Sequence, residues 1–131
     1  MITVLARLVY VVEPDASVRE GLGRLVESHG FEAKSYGRLR DFVAQAPRQA
    51  GLCGLVDLSD TELGDSALRA QLRALGALLP LIALSVRDDA VTRRLAREIG
   101  ARAFFRKPVD AAALLDSIDW LTPQDSQSKP H

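Results

Sequence analysis

Apolar runs and amphipathic stripes alternate along this chain five times. Leu8-Val9-Tyr10-Val11-Val12 is a continuous apolar, β-branched run, the pattern of a strand buried on both faces. Glu13-Pro14-Asp15 breaks it, and Asp15 is placed to cap a helix. In that helix Val18, Leu22, Leu25, Val26 and His29 share one stripe, and Gly30 follows as its terminator. Residues 31–36 predict a short second strand, set toward a sheet edge by the charges of Glu32 and Lys34. Leu39, Phe42 and Val43 mark a short second helix that stops near Pro47. The third apolar run, 52–57, ends abruptly in a carboxylate, Asp57, and a polar, glycine-containing loop follows. Leu68, Leu72, Leu75 and Leu79 carry a third helix over 67–78. Pro80 opens a fourth strand, 81–85. Arg87-Asp88-Asp89 then turns into a helix with Val91, Leu95 and Ile99 on one face, ended by Gly100. The fifth strand is 103–106 and is stopped by Lys107-Pro108. Asp110 can cap the last helix, whose stripe is Leu114, Leu115, Ile118 and Leu121.

Strict alternation of strand and helix implies an α/β protein: a parallel sheet with right-handed crossovers and helices on both faces. Five such units predict the flavodoxin-like, doubly wound (βα)5 fold with strand order 2-1-3-4-5. At 131 residues one domain is expected, here over 1–121. Residues 122–131 are polar, lack apolar periodicity and read as a disordered tail.

Composition narrows the class only a little. The formal net charge is +0, so no basic excess points to nucleic acid. Cys53 is the single cysteine, which excludes an intrachain disulfide and reads as a small buried hydrophobe. The N-terminal stretch runs straight into the first strand without the regions of a signal peptide. No apolar run approaches membrane-spanning length. A cytoplasmic protein is the expectation.

In open α/β sheets chemistry collects beyond the carboxyl ends of the strands. Here those ends are Glu13, Asp57, Ser85 and Lys107. An aspartate, a second acid, a hydroxyl and an ammonium suit phosphoryl transfer to Asp57. A carboxylate nucleophile stands at the sheet edge, and positive charge surrounds the dispersed negative charge of the transferred group. Each residue also has a purely structural reading. Asp57 can cap a turn, Ser85 can do the same, and Glu13 can pair with Lys107 as an ion bridge.

The combination resembles the receiver domain of two-component response regulators over nearly the whole chain. The matching stretches are Val9-Tyr10-Val11-Val12-Glu13-Pro14-Asp15-Ala16-Ser17-Val18-Arg19, Val56-Asp57-Leu58-Ser59, Leu84-Ser85 and Phe104-Phe105-Arg106-Lys107-Pro108. The likeness is strongest to receivers that precede a helix-turn-helix in nitrogen-fixation-type regulators; no such output domain is expected here. The resemblance implies Asp57 as phosphoacceptor and Ser85 and Lys107 as phosphate partners. It implies Ser85 and Phe104 as the switch pair and a cis peptide at Pro108. Magnesium would be held by Glu13, Asp57 and the Ser59 carbonyl. Two departures bear on that metal. Pro14 stands where the family carries its direct magnesium-binding acid, so binding should be weak. Asp15, Asp60 or Glu62 could substitute. Thr61 and Asp65 also replace the usual loop proline and glycine.

Three functions follow as expectations. The first is a single-domain receiver in a phosphorelay. It takes a phosphoryl group from a histidine kinase or phosphotransfer protein and signals to a downstream protein target, with homodimerisation as one form of output. Its only catalysis would be self-phosphorylation and hydrolysis at Asp57. The second is a pseudo-receiver, an interaction module independent of phosphorylation, which Pro14 favours. The third is a hydrolase with an aspartate nucleophile, suggested faintly by Asp57-Leu58-Ser59-Asp60-Thr61. Output is expected through the face of 89–100, Phe104 and 110–121.

Overall fold

In the computed structural model, which describes residues 7–45 and 51–121, five parallel strands form one sheet in the order 2-1-3-4-5. The strands are β1 (Leu8–Val12), β2 (Glu32–Tyr36), β3 (Cys53–Asp57), β4 (Leu81–Ser85) and β5 (Ala103–Arg106). Helices α1 (Ala16–Ser28), α2 (Leu39–Gln45), α3 (Ser66–Gly76), α4 (Ala90–Glu98) and α5 (Ala111–Leu121) alternate with them. The expected stop near Pro47 and the tail at 122–131 lie outside the described residues.

The two-residue period of the strands divides the core into two layers. In β1, Val9 and Val11 pack with Leu22 and Val26 of α1 and Leu114 and Ile118 of α5. Tyr10 and Val12 face the other way, onto Phe42 of α2, Leu72 of α3 and Ile99 at the end of α4. Full burial of each such side chain is worth about 1.5–3 kcal/mol. β3 and β4 are buried along their whole length, whereas β2 and β5 at the sheet edges are partly exposed.

Aspartates start the helices. Asp15, Asp65 and Asp89 accept backbone N–H groups at the first turns of α1, α3 and α4. Asp110 accepts from the Ala113 N–H at 3.3 Å. Gly30 and Gly100 follow the C-caps of α1 and α4 with φ of 92° and 76°, a region that costs other residues a steric penalty.

Two expectations need correction. Val91 is 69% exposed, not on the buried face. Positions four apart on a helix drift by about 40° at 3.6 residues per turn, so 91, 95 and 99 rotate from the exposed side at Val91 to the buried side at Ile99. The face that packs is centred on Thr92, Ala96 and Ile99. The loop after Asp57 is also partly ordered: Thr61–Gly64 forms a 3-10 helix capped by the Asp60 side chain, which accepts from the Glu62 N–H.

Candidate functional site

The sheet brings four strand ends into register. The Lys107 N–H donates to the Ser85 carbonyl at 2.8 Å, the Leu58 N–H to Leu84 at 2.8 Å and the Glu13 N–H to Tyr36 at 3.0 Å. These bonds extend the ladders one residue beyond the strands and fix where each functional side chain departs. Asp57 is 1% exposed and Glu13 3%. Two nearly buried carboxylates need a cation, and Lys107 supplies it. Its Nζ lies 2.6 Å from Glu13 Oε1 and 2.8 Å from Asp57 Oδ1. The first contact is a hydrogen bond; the second is an ion pair whose approach falls outside hydrogen-bond angles. Burial alone would lower the Lys107 pKa; the Asp57 and Glu13 carboxylates outweigh it and hold the ammonium above its ordinary value.

The other oxygens are also engaged. Asp57 Oδ2 accepts from the Ser59 N–H at 3.1 Å and from the Ser59 hydroxyl. Glu13 Oε2 accepts from the Asp15 N–H at 3.2 Å. Ser85 Oγ accepts from the Arg87 N–H at 2.9 Å. Accepting that bond leaves the Ser85 proton available for donation to an incoming oxygen.

The three substitute acids do not join this cluster. Asp15 caps α1 through Ser17 and Val18. Glu62 accepts from the Arg40 N–H at 2.9 Å and its guanidinium at 3.3 Å, and Arg40 holds its carboxyl below the usual carboxylate range. Asp60 caps the 3-10 helix. Among the described residues no group of three or more His, Cys, Asp or Glu side chains could hold a metal. The pocket itself offers two carboxylates, Glu13 and Asp57, both already drawn to Lys107, a set too small to bind magnesium tightly.

Phe104 of β5 is half-buried, and the Arg93 guanidinium covers its ring at 4.5 Å. Arg93 is itself held by Asp88 at 2.5 and 3.1 Å. Arg19 Nη1 donates to the Glu13 carbonyl at 2.7 Å and the Pro14 carbonyl at 3.3 Å, and so steadies the turn that carries Glu13. Sequence reasoning assigned neither arginine a role; an arginine one turn into a capped helix was the available signal for Arg19. The Lys107–Pro108 peptide is cis.

The doubly wound sheet gathers two acids, a hydroxyl and a lysine at one carboxyl edge, which marks the class: a flavodoxin-like fold with a polar pocket at its strand ends. The family model described as response regulator receiver domain matches residues 9–119. The chain belongs to that family, the receivers of two-component systems. The response regulator TodT of Pseudomonas putida is 30% identical over 128 residues, covering 95% of this chain and 56% of TodT. The transcriptional regulator FixJ of Azorhizobium caulinodans is 30% identical over 111 residues, 84% of this chain and 52% of FixJ. The chain thus spans about half the length of the curated relatives it matches. Among solved structures, the response regulator StyR superposes with a TM-score of 0.77 at 30% identity, over 96% of this chain and 63% of StyR. FixJ-N gives 0.75 at 24% identity, over 87% and 91%, and speaks to the fold alone. No helix among the described residues is long and apolar enough to cross a membrane.

Proposed function

We propose that this receiver accepts a phosphoryl group on Asp57 from a histidine kinase or phosphotransfer protein. It then signals through protein contacts to a downstream target or a second copy of itself. The observation that carries the reading is the ammonium of Lys107, which reaches from the end of β5 past β4 to within 2.8 Å of Asp57 Oδ1 at the end of β3. In the transfer a carboxylate oxygen of Asp57 bonds to phosphorus as the bond to the donor's imidazole nitrogen breaks. The electron pair stays on that nitrogen, which is left to take up a proton. Lys107 offsets the charge gathering on the phosphoryl oxygens, and Ser85 donates its free proton to one of them. Magnesium, when bound, would be held by Glu13, Asp57 and the Ser59 carbonyl and would neutralise part of that same charge. The output face is α4, Phe104 and α5, beside the ends of β4 and β5.

A second reading is favoured by one observation. Pro14 brings no side-chain oxygen, and Lys107 already pairs with both remaining acids. A pocket balanced in this way suits a fixed interaction module that is never phosphorylated. Intact mass after incubation with acetyl phosphate and magnesium decides between the two. Gain of one phosphoryl group, absent in Asp57→Asn, is the expected result. No gain in the wild type, with the fold intact, overturns the first reading in favour of the second.

A further inference from the structure

An open groove of about 220 Å³ runs between helix α4 and the edge strand β5. Arg93 and Arg97 of α4 and Arg102, just before β5, stand along it, over a lining of Ala96, Ala103 and Phe104. No acid is among the described residues that line it. The volume lies below the usual range of small-molecule sites, about 300–1,000 Å³. An apolar lining beside guanidinium groups suits the side chains of another protein, since arginine and aromatic residues are enriched at protein interfaces.

Positive charge is concentrated around the groove. Residues 87–106 hold six arginines and three acids, in a chain whose formal net charge is +0. All three acids are already engaged. Asp88 holds Arg93, Asp89 caps α4 through the Thr92 N–H, and Glu98 pairs with Arg69 at 3.5 Å. The guanidinium groups of Arg97 and Arg102 are exposed and have no hydrogen-bond or ion-pair partner among the described residues. Arg97 complements the C-terminal end of α4, where a cation is favourable. Arg102 lies outside any helix and has no such role. Arg73 Nη1 reaches the same corner and donates to the Glu98 carbonyl at 2.9 Å, which raises the local positive potential further.

We infer that the protein recognised at this groove presents an acidic segment, with carboxylates on Arg97 and Arg102 and an apolar side chain on Ala96, Ala103 and Phe104. The inference rests on α4, Phe104 and α5 being the output face, and it names the chemistry of the partner. Each guanidinium offers a planar fork that takes a carboxylate through two parallel hydrogen bonds. Complementary charge also speeds the encounter and selects among partners. A nucleic acid fits less well. Its phosphates call for cations in a continuous stripe, whereas here acids stand at both ends of α4 and the lining is apolar.

Three probes test it on the full, unphosphorylated chain: a short glutamate–leucine peptide, the same peptide with glutamine for glutamate, and an oligothymidylate. The glutamate peptide should give saturable backbone amide shifts within 93–104, with an affinity at least about tenfold above that of the glutamine peptide and falling with added salt. Arg97→Glu combined with Arg102→Glu should lose that factor with little change in melting temperature, since neither side chain has a partner to lose. Arg24→Glu combined with Arg38→Glu changes the net charge equally at exposed sites off the groove and should leave binding as it was. Equal affinity for the two peptides, shifts elsewhere, unchanged binding in the groove variant, equal loss in the control variant, or a preference for oligothymidylate overturns the inference. The outcome is separable from phosphorylation: a chain that gains no phosphoryl group yet binds the glutamate peptide defeats the transfer reading and leaves this one standing, and the reverse result does the opposite.

Discussion

Replacing Lys107 by methionine is the most direct trial of how the acceptor pocket is held together. The change keeps most of the side-chain volume and removes the charge. It leaves Glu13 and Asp57, 3% and 1% exposed, facing each other without their shared cation. Stripping one partner from a buried ion pair costs about 3–5 kcal/mol, because the remaining charge is desolvated and uncompensated. For a chain of 131 residues that corresponds to a fall in Tm of roughly 10–20 °C. Circular dichroism melts at about pH 7 give the value. A second substitution separates charge from packing. Glu13→Gln placed on Lys107→Met should recover more than half of the loss, as a double-mutant cycle reads it. A Tm within about 2 °C of wild type for Lys107→Met, or no rescue by Glu13→Gln, would refute the view that Lys107 neutralises the two acids.

Three further outcomes are expected. Because Asp57 and Glu13 raise the Lys107 pKa above its ordinary 10.5, the native state keeps that proton where the unfolded chain releases it. The contribution is complete below about pH 10.5 and lost as pH climbs through the raised native value; urea melts should show this alkaline loss in the wild type and a smaller one in Lys107→Met. Gly51→Ala would set a methyl 2.6 Å from Tyr10 Cε2, and since that ring is fully buried the cost should be about 1–3 kcal/mol in a denaturant melt. Arg93→Ala removes a surface ion pair and the cover on Phe104, so the melting temperature should barely change while the Phe104 ring resonances move; unmoved ring resonances would show that the guanidinium does not sit on the ring in solution.

The sheet was readable because its signals agree across levels. Unbroken apolar runs in β1, β3 and β4 announce strands buried on both faces, and the charges of Glu32 and Lys34 place β2 at an edge. Asp15 and Asp110 declare helix starts in the one-dimensional pattern, since capping is a local interaction. The assignment of Val91 failed because helical spacing names a stripe without choosing its centre. Which residue faces the sheet depends on how α4 is rotated by its neighbours, and a nine-residue helix has too few turns to determine that alone. In the site, the identities at the strand ends were legible because topology alone collects them. The fate of Asp15, Asp60 and Glu62 was not. Each has a nearby backbone donor, and a carboxylate committed to a cap or to Arg40 is distinguishable from a free one only once those partners have positions. Arg93 over Phe104 is of the same kind, a contact between side chains eleven residues apart that no periodicity encodes.

The Arg93 guanidinium has a further consequence. It is fastened at one end to the loop that leaves β4, through Asp88, and rests with its other side on an aromatic ring of β5. Ser85, whose hydroxyl accepts from the next turn of that loop, lies upstream on the same stretch of backbone. If Asp57 is phosphorylated as proposed, a pull on Ser85 that drags the loop would slide a polar cover across a nonpolar ring. The variable that such a movement changes is how oily the outer surface is at Phe104. A displacement of an ångström or so at the sheet edge would be written on the outside of the molecule as wetting or dewetting of one ring, a signal that a neighbouring protein can read without touching the pocket.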